Sequence, residues 1–204
     1  MKRFLSALSV ILAAAFTCPA VNNPDVKYGP WVQNVTETGF TVMWTSSLKN
    51  FAYVEIAPND GTPFELCDRR RFYNVYAGRR ISDTFHSVKI TGLEPGKEYR
   101  YRIYAKVVEN DDSAYGTDYG PEKRASSSQD AVIRTLDHNT PECRFFMVND
   151  IHGSARKYTS LVGGVDRSRF DFLLMNGDMV SEINDADTML RKVFDVVPQV
   201  TSGI

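Results

Sequence analysis

The sequence predicts an all-β sandwich followed by an α/β segment, and three observations carry that reading. Apolar and polar residues alternate in short runs between Phe40 and Ala105, the habit of half-buried antiparallel strands. Turn residues, Pro95 and Gly96 foremost, separate those runs. Beyond Cys143 the alternation gives way to fully apolar runs, "RFFMVN" and "FDFLLMN", with a helix-like stretch between them. That is the pattern of a parallel sheet built through a crossover helix.

Taken in chain order, residues 1–20 come first: Lys2 and Arg3, an apolar stretch from Phe4 to Phe16, then small residues up to Ala20. This is the order of a secretory signal, too short to span a bilayer comfortably, with cleavage expected after Ala20. The chain is therefore expected to be exported, periplasmic or extracellular, with no transmembrane segment once the signal is removed. Export leaves Cys67 and Cys143, which an oxidising compartment would allow to pair or to remain as two free thiols. With 24 Lys+Arg against 25 Asp+Glu, the net charge of -1 gives no long-range attraction to nucleic acid or to an anionic membrane, and no nucleic-acid partner is expected.

The sandwich is expected over residues 23–136. In "GFTVMWTS" Phe40, Val42 and Trp44 point one way while Thr41 and Met43 point the other, and "AYVEIA", "HSVKIT" and "YRYRIYA" repeat the habit as separate strands. Trp31 and Trp44 are expected in the core. Tyr99, entering a strand just past the Pro95–Gly96 turn, is placed to bond back to the backbone. Arg69, Arg70, Arg71, Arg79 and Arg80 read as a solvated face, and the polar stretch from Glu109 to Gln129 reads as a mobile surface loop. Residues 136–143 have linker composition.

The α/β segment is expected over residues 143–204. Both apolar runs end in ligand-type residues, the first in Asp150 and His152, the second in Asp178 behind Gly177. The carboxyl ends of neighbouring parallel strands form the crevice where ligands bind, so residues far apart in sequence converge there. In extended chain Asp150 and His152, two apart, would lie on one side. Gly153 permits a tight turn into a helix whose N-terminus favours an anion. A further helix in "DADTMLRKVFDVV" carries Met189, Leu190, Val193, Phe194 and Val197 as a packing stripe, with Pro198 closing it.

"GPWVQNVTETGFTVMW" and "TGLEPGKEYRYRI" resemble the fibronectin III-like domain that precedes the catalytic domain of purple acid phosphatases. "DIHG" followed by "NGDMVSE" resembles the first two blocks, D-x-H and G-D-x-x, of the calcineurin-like metallophosphoesterases. The resemblance implies an exported enzyme that hydrolyses a small phosphate ester. In it Asp150 and His152 bind one metal ion and Asp178 bridges to a second. The two ions, Zn, Fe or Mn, would sit roughly 3.5–4 Å apart and activate a hydroxide.

The chain departs from that family in two ways. The later blocks that supply an asparagine and further histidines are absent, which predicts a fragment, or a truncated product with little activity of its own. His86, in the sandwich, and His138, in the linker, do not replace them. Where the purple enzymes carry a metal-binding tyrosine, this chain has Ser181, so a colourless site is expected. Asn149 has no defined role, and no general acid is identifiable. The rival expectation is a secreted β-sandwich binding module with a non-catalytic α/β tail.

Overall fold

The computed structural model describes residues 24–112, 114–126, 130–166 and 169–196; the expected export signal, with Cys18, lies outside them, as do Val197 and Pro198. Strand β2 (Gly39–Pro58) ties the sandwich together because it belongs to both layers. Its first half, Thr41 to Thr45, pairs antiparallel with β1 (Tyr28–Gln33) and with β6 (Ser82–Thr91). Its second half, Asn50 to Pro58, pairs with β7 (Glu98–Asn110) and with β3 (Arg70–Tyr73). Between β3 and β6 a short hairpin pairs β4 (Val75–Tyr76) with β5 (Arg79–Arg80). The register shifts between Thr45 and Asn50, which lets one strand bend from layer to layer. The sequence predicts two separate strands here, divided by the polar break at Ser46–Lys49, yet the chain crosses it extended.

The alternation places the core where expected. Phe40, Val42 and Trp44 face Ala52, Val54 and Ile56, with Val88 and Ile90 of β6, Tyr101 and Ile103 of β7, and Ile133 of β10 (Ala131–Arg134) completing the cluster. At the corner before β7, the backbone N–H of Glu94 donates to the Tyr99 hydroxyl at 2.9 Å. This holds the Pro95–Gly96 turn against the strand it feeds.

Two surface expectations are corrected. The Glu109–Gln129 stretch is partly ordered by pairing: β8 (Asp118–Tyr119) and β9 (Lys123–Arg124) both add to β7, whose free edge offers unpaired backbone groups. Tyr115 is fully exposed. The arginines are engaged as well as solvated. Arg69 and Arg71 pair with the buried Glu55 carboxylate, Arg70 donates to the carbonyls of Thr91 and Gly92, and Arg80 lies over the Tyr73 ring. Burying Glu55 without a cation would be expensive, so these arginines are recruited by the charge beneath them. Cys67 and Cys143 are both free thiols.

After the linker, β11 (Phe145–Val148) and β12 (Phe172–Met175) pair in parallel, joined by α1 (Ala155–Val162). Ser154 caps α1, its hydroxyl accepting from the Lys157 N–H, and Gly163 ends it. Val148, Ile151, Tyr158 and Val162 form a small core with Phe146, Leu173 and Met175. The expectation of strands covered on both faces is not met among the described residues. Phe145 and Met147 remain about half exposed, and Phe172 and Leu174 somewhat less, because α1 covers one side only.

The last described element returns to the sandwich. Helix α2 (Ala186–Leu190), capped by Asp185, runs into a π-helical turn at Arg191–Asp195. Leu190 is buried against Tyr28 and Trp31, and the Phe194 ring stacks on Trp31 with centroids 4.3 Å apart. Tyr28 donates its hydroxyl proton to Asp187 at 2.9 Å, and Lys27 forms an ion pair with the same carboxylate. Trp31 is thus buried as expected, but in this joint between segments and not in the sandwich core. No helix among the described residues is long and apolar enough to cross a membrane.

Candidate metal centre

The two strands of the α/β segment end side by side, and their following loops are laced together through the backbone. Asn176 N–H donates to the Val148 carbonyl at 2.9 Å, His152 N–H to Asp178 O at 2.8 Å, and Gly153 N–H to Met179 O at 2.7 Å. These bonds continue the parallel ladder past the last strand residues. They fix the loop after β11 against the loop after β12, whatever the side chains do.

On that frame Asp150, His152 and Asp178 converge: one ligand atom from each lies within 4.8 Å of the others, and all three side chains are exposed. The His152 Nε2 sits 2.7 Å from Asp150 Oδ1. Among the described residues no other group of three histidine, cysteine, aspartate or glutamate side chains gathers in this way. His86 is buried in the sandwich and stacked on Trp44, and exposed His138 faces Glu37 at 3.2 Å; neither belongs to the cluster.

The local backbone differs from the extended one expected. Asp150 has φ 60°, His152 φ 53° and Asp178 φ 50°, and only Asn34 and Ala77 join them among described non-glycine residues with positive φ. Two left-handed residues flanking Ile151 make the chain hook, so that Ile151 enters the core while both polar neighbours stay outside. A left-handed residue with a side chain is disfavoured by roughly 1–2 kcal/mol, less for aspartate, whose short polar side chain tolerates it. Three such residues at one cluster are unfavourable for folding alone, and such outliers gather at functional sites. Sequence gives no signal of φ: Asp150 and His152 lie close together through a left-handed hook and not through the extended chain expected.

Ser181 completes the cluster. Its Oγ lies 3.3 Å from His152 Nδ1 and 3.3 Å from the His152 carbonyl oxygen. The 2.7 Å contact with Asp150 Oδ1 calls for a proton on Nε2. A metal ion on Nε2 would take that proton's place, and Nδ1–H would then donate to Oγ while the hydroxyl proton goes to the carbonyl. One nitrogen and two carboxylates form a mixed N/O donor set of the kind that suits Zn, Mn or Fe. Around such an ion ligand atoms stand about 3 Å apart, so the cluster would contract slightly, a movement within reach of exposed side chains. The donors brought together suffice for one ion; a second would share Asp178 and need further ligands. Asn149 is exposed, and nothing in its contacts assigns it a role.

Lys192 is a residue that the sequence does not single out. Gly153, with φ 68°, is covered by the Lys192 side chain: a methyl group at residue 153 would stand 3.0 Å from Lys192 Cδ and 3.3 Å from Nζ. Lys192 reaches this position only because its helix docks on the sandwich, so no local pattern could have disclosed it. Apart from this cluster, a cavity of about 330 Å³ opens on the sandwich between Ile56, Leu93, Tyr99, Cys67 and Arg70.

Comparison with known proteins concerns the sandwich. No curated protein matches the chain. Among solved structures, a computationally redesigned β-sandwich protein is 19% identical over 58% of this chain and 98% of its own, with a TM-score of 0.33. A fourth fibronectin III domain from a human protein is 18% identical over 66% and 94%, with a TM-score of 0.36. The third fibronectin III domain of the human KIAA0343 protein is 16% identical over 64% and 97%, with a TM-score of 0.35. The family of fibronectin type III domains matches residues 28–115, and that segment, with its two antiparallel layers and its tyrosine corner, is a fibronectin type III domain.

Proposed function

We propose that the chain belongs to an exported, metal-dependent phosphoesterase in which Asp150, His152 and Asp178 hold the metal. The observation that carries this reading is the convergence of the three side chains on strained, left-handed backbone at the carboxyl ends of two parallel strands. A cation bound there supplies Lewis acidity toward a phosphoryl oxygen and a hydroxide near neutral pH. The protein's own part is to hold two carboxylates and a deprotonated imidazole nitrogen at one point, with Ser181 keeping the proton on Nδ1. The substrate class is a small phosphate ester. Calcineurin-like character rests on the D-x-H and G-D-x-x blocks, and the dinuclear form requires donors beyond this triad.

The test is metal content after equilibration of the full chain with Zn²⁺ or Mn²⁺, wild type beside Asp178→Asn. Close to one ion per chain in wild type and a sharp loss in the variant is the expected result. Equal content in both sinks the reading. Hydrolysis of a generic phosphate monoester by the loaded protein then reports on chemistry separately from binding.

A second reading, a secreted binding module, is favoured by the fibronectin type III match and by the cavity beside Tyr99. It predicts no metal uptake and no effect of any triad substitution.

A further inference from the structure

We infer that Lys192 is an anion-binding residue of the metal site, placed there by the docking of its helix on the fibronectin domain. The inference rests on the metal reading above and extends it to the substrate side. Lys192 lies in the π-helical turn Arg191–Asp195, on an element that shares no strand or loop with the triad. Its side chain nevertheless crosses to Gly153, the residue after His152, and its Nζ stands 3.3 Å from where a Cβ at that position would be. Successive Cα atoms are about 3.8 Å apart, so the ammonium is within roughly 9 Å of the His152 Cα. A phosphoryl group on a metal at the triad falls within reach of a flexible four-carbon stem across that gap.

Two further observations favour an anion over a structural role. Among the described residues no carboxylate forms an ion pair with Lys192, although the two carboxylates of the triad lie on the loops beside Gly153. Its charge is therefore not consumed by folding. The turn that carries it is also held firmly: Val193 and Leu190 are buried, and Phe194 stacks on Trp31 of β1. A π-helical turn widens the helix locally and commonly marks a functional position. Glycine at 153 fits the same account, since any side chain there would occupy the space the lysine uses. The fibronectin domain then has a part in the chemistry: it fixes the helix that presents the cation.

The test uses the full chain loaded with Mn²⁺ and inorganic phosphate as the probe. Mn²⁺ affinity is measured by electron paramagnetic resonance, and phosphate affinity by the paramagnetic relaxation of its ³¹P resonance. Lys192→Ala should bind Mn²⁺ as wild type does and phosphate roughly tenfold more weakly, the worth of one charge-assisted hydrogen bond. Lys192→Arg should restore phosphate affinity to within about threefold. Unchanged phosphate affinity in Lys192→Ala, with Mn²⁺ bound normally, overturns the lysine assignment alone. Loss of Mn²⁺ and phosphate together in that variant also overturns it, since the residue would then be holding the fold. A wild-type chain that takes up no Mn²⁺ overturns the metal reading and this inference with it.

Discussion

The imidazole of His152 and the carboxylate of Asp150 stand 2.7 Å apart although the backbone at both residues is left-handed. Ile151 between them is buried, and its insertion forces the hook that brings the two polar groups together. The arrangement places backbone strain at the candidate metal centre. Asp150→Gly is expected to be about 1 kcal/mol more stable than Asp150→Ala, because glycine accepts positive φ freely. Both should lose metal equally. Urea denaturation of the two variants side by side measures the difference, and equal midpoints would mean that the hook stores no strain.

Ser181 should act through His152 and not on its own. Ser181→Ala removes the hydrogen-bond partner of His152 Nδ1, and metal affinity should fall about tenfold or more. Ser181→Thr keeps the hydroxyl and should recover most of it. Nitrogen-15 spectra of the imidazole show directly whether the proton stays on Nδ1; an unaltered tautomer in Ser181→Ala would remove this role.

His86 predicts a pH dependence that belongs to the sandwich. It is fully buried, stacked on Trp44, and its Nδ1 has no hydrogen-bond partner among the described residues. Burial lowers its pKa to about 4 from an ordinary 6.5. The charged form is thus disfavoured in the folded state, so its contribution to stability is present above pH 6.5. It is lost as pH falls from there toward 4, because the unfolded chain takes up the proton first. By linkage the loss at pH 5 is about 2 kcal/mol relative to pH 7.5. His86→Gln should flatten that part of the stability profile, as read by urea melts across this range; an undiminished slope would assign it to other groups.

Tyr158 offers a test of the small core beneath the candidate metal centre. Its hydroxyl is buried with no partner among the described residues, and burial pushes its pKa up to about 12. Tyr158→Phe removes an unsatisfied polar atom and leaves the ring in place. Stability should hold or rise by up to about 1 kcal/mol, with metal affinity unchanged. A clear drop in thermal midpoint would show that the hydroxyl has a partner after all.

Tyr99 is the opposite case, since its hydroxyl accepts from Glu94 N–H at 2.9 Å. Tyr99→Phe leaves that amide without its partner and should destabilise the fibronectin domain by about 1–2 kcal/mol. Calorimetry of the variant reads this directly, and a neutral outcome would mean that water replaces the hydroxyl.

Alternation from Phe40 to Ile103 disclosed the sandwich, because burial on one face of a strand has a period of two that survives in the sequence. The apolar runs at Phe145 and Phe172, each followed by ligand-type residues, disclosed the pair of parallel strands, and the D-x-H and G-D blocks named the three residues that the folded chain brings within 4.8 Å.

Local pattern was silent wherever distance or handedness mattered. The left-handed hook at Asp150 and His152, the crossing of β2 between layers, the pairing of β8 and β9 with β7, the exposed outer face of β11 and β12, and the stacking of Phe194 on Trp31 all arise from contacts between segments remote in sequence. Lys192 is the clearest instance. Its own neighbourhood reads as one more amphipathic turn, and it comes to lie over Gly153 only when that turn finds its place against β1. A chain records which faces are apolar; which remote face each one meets is settled by packing, and there the charge acquires its neighbours.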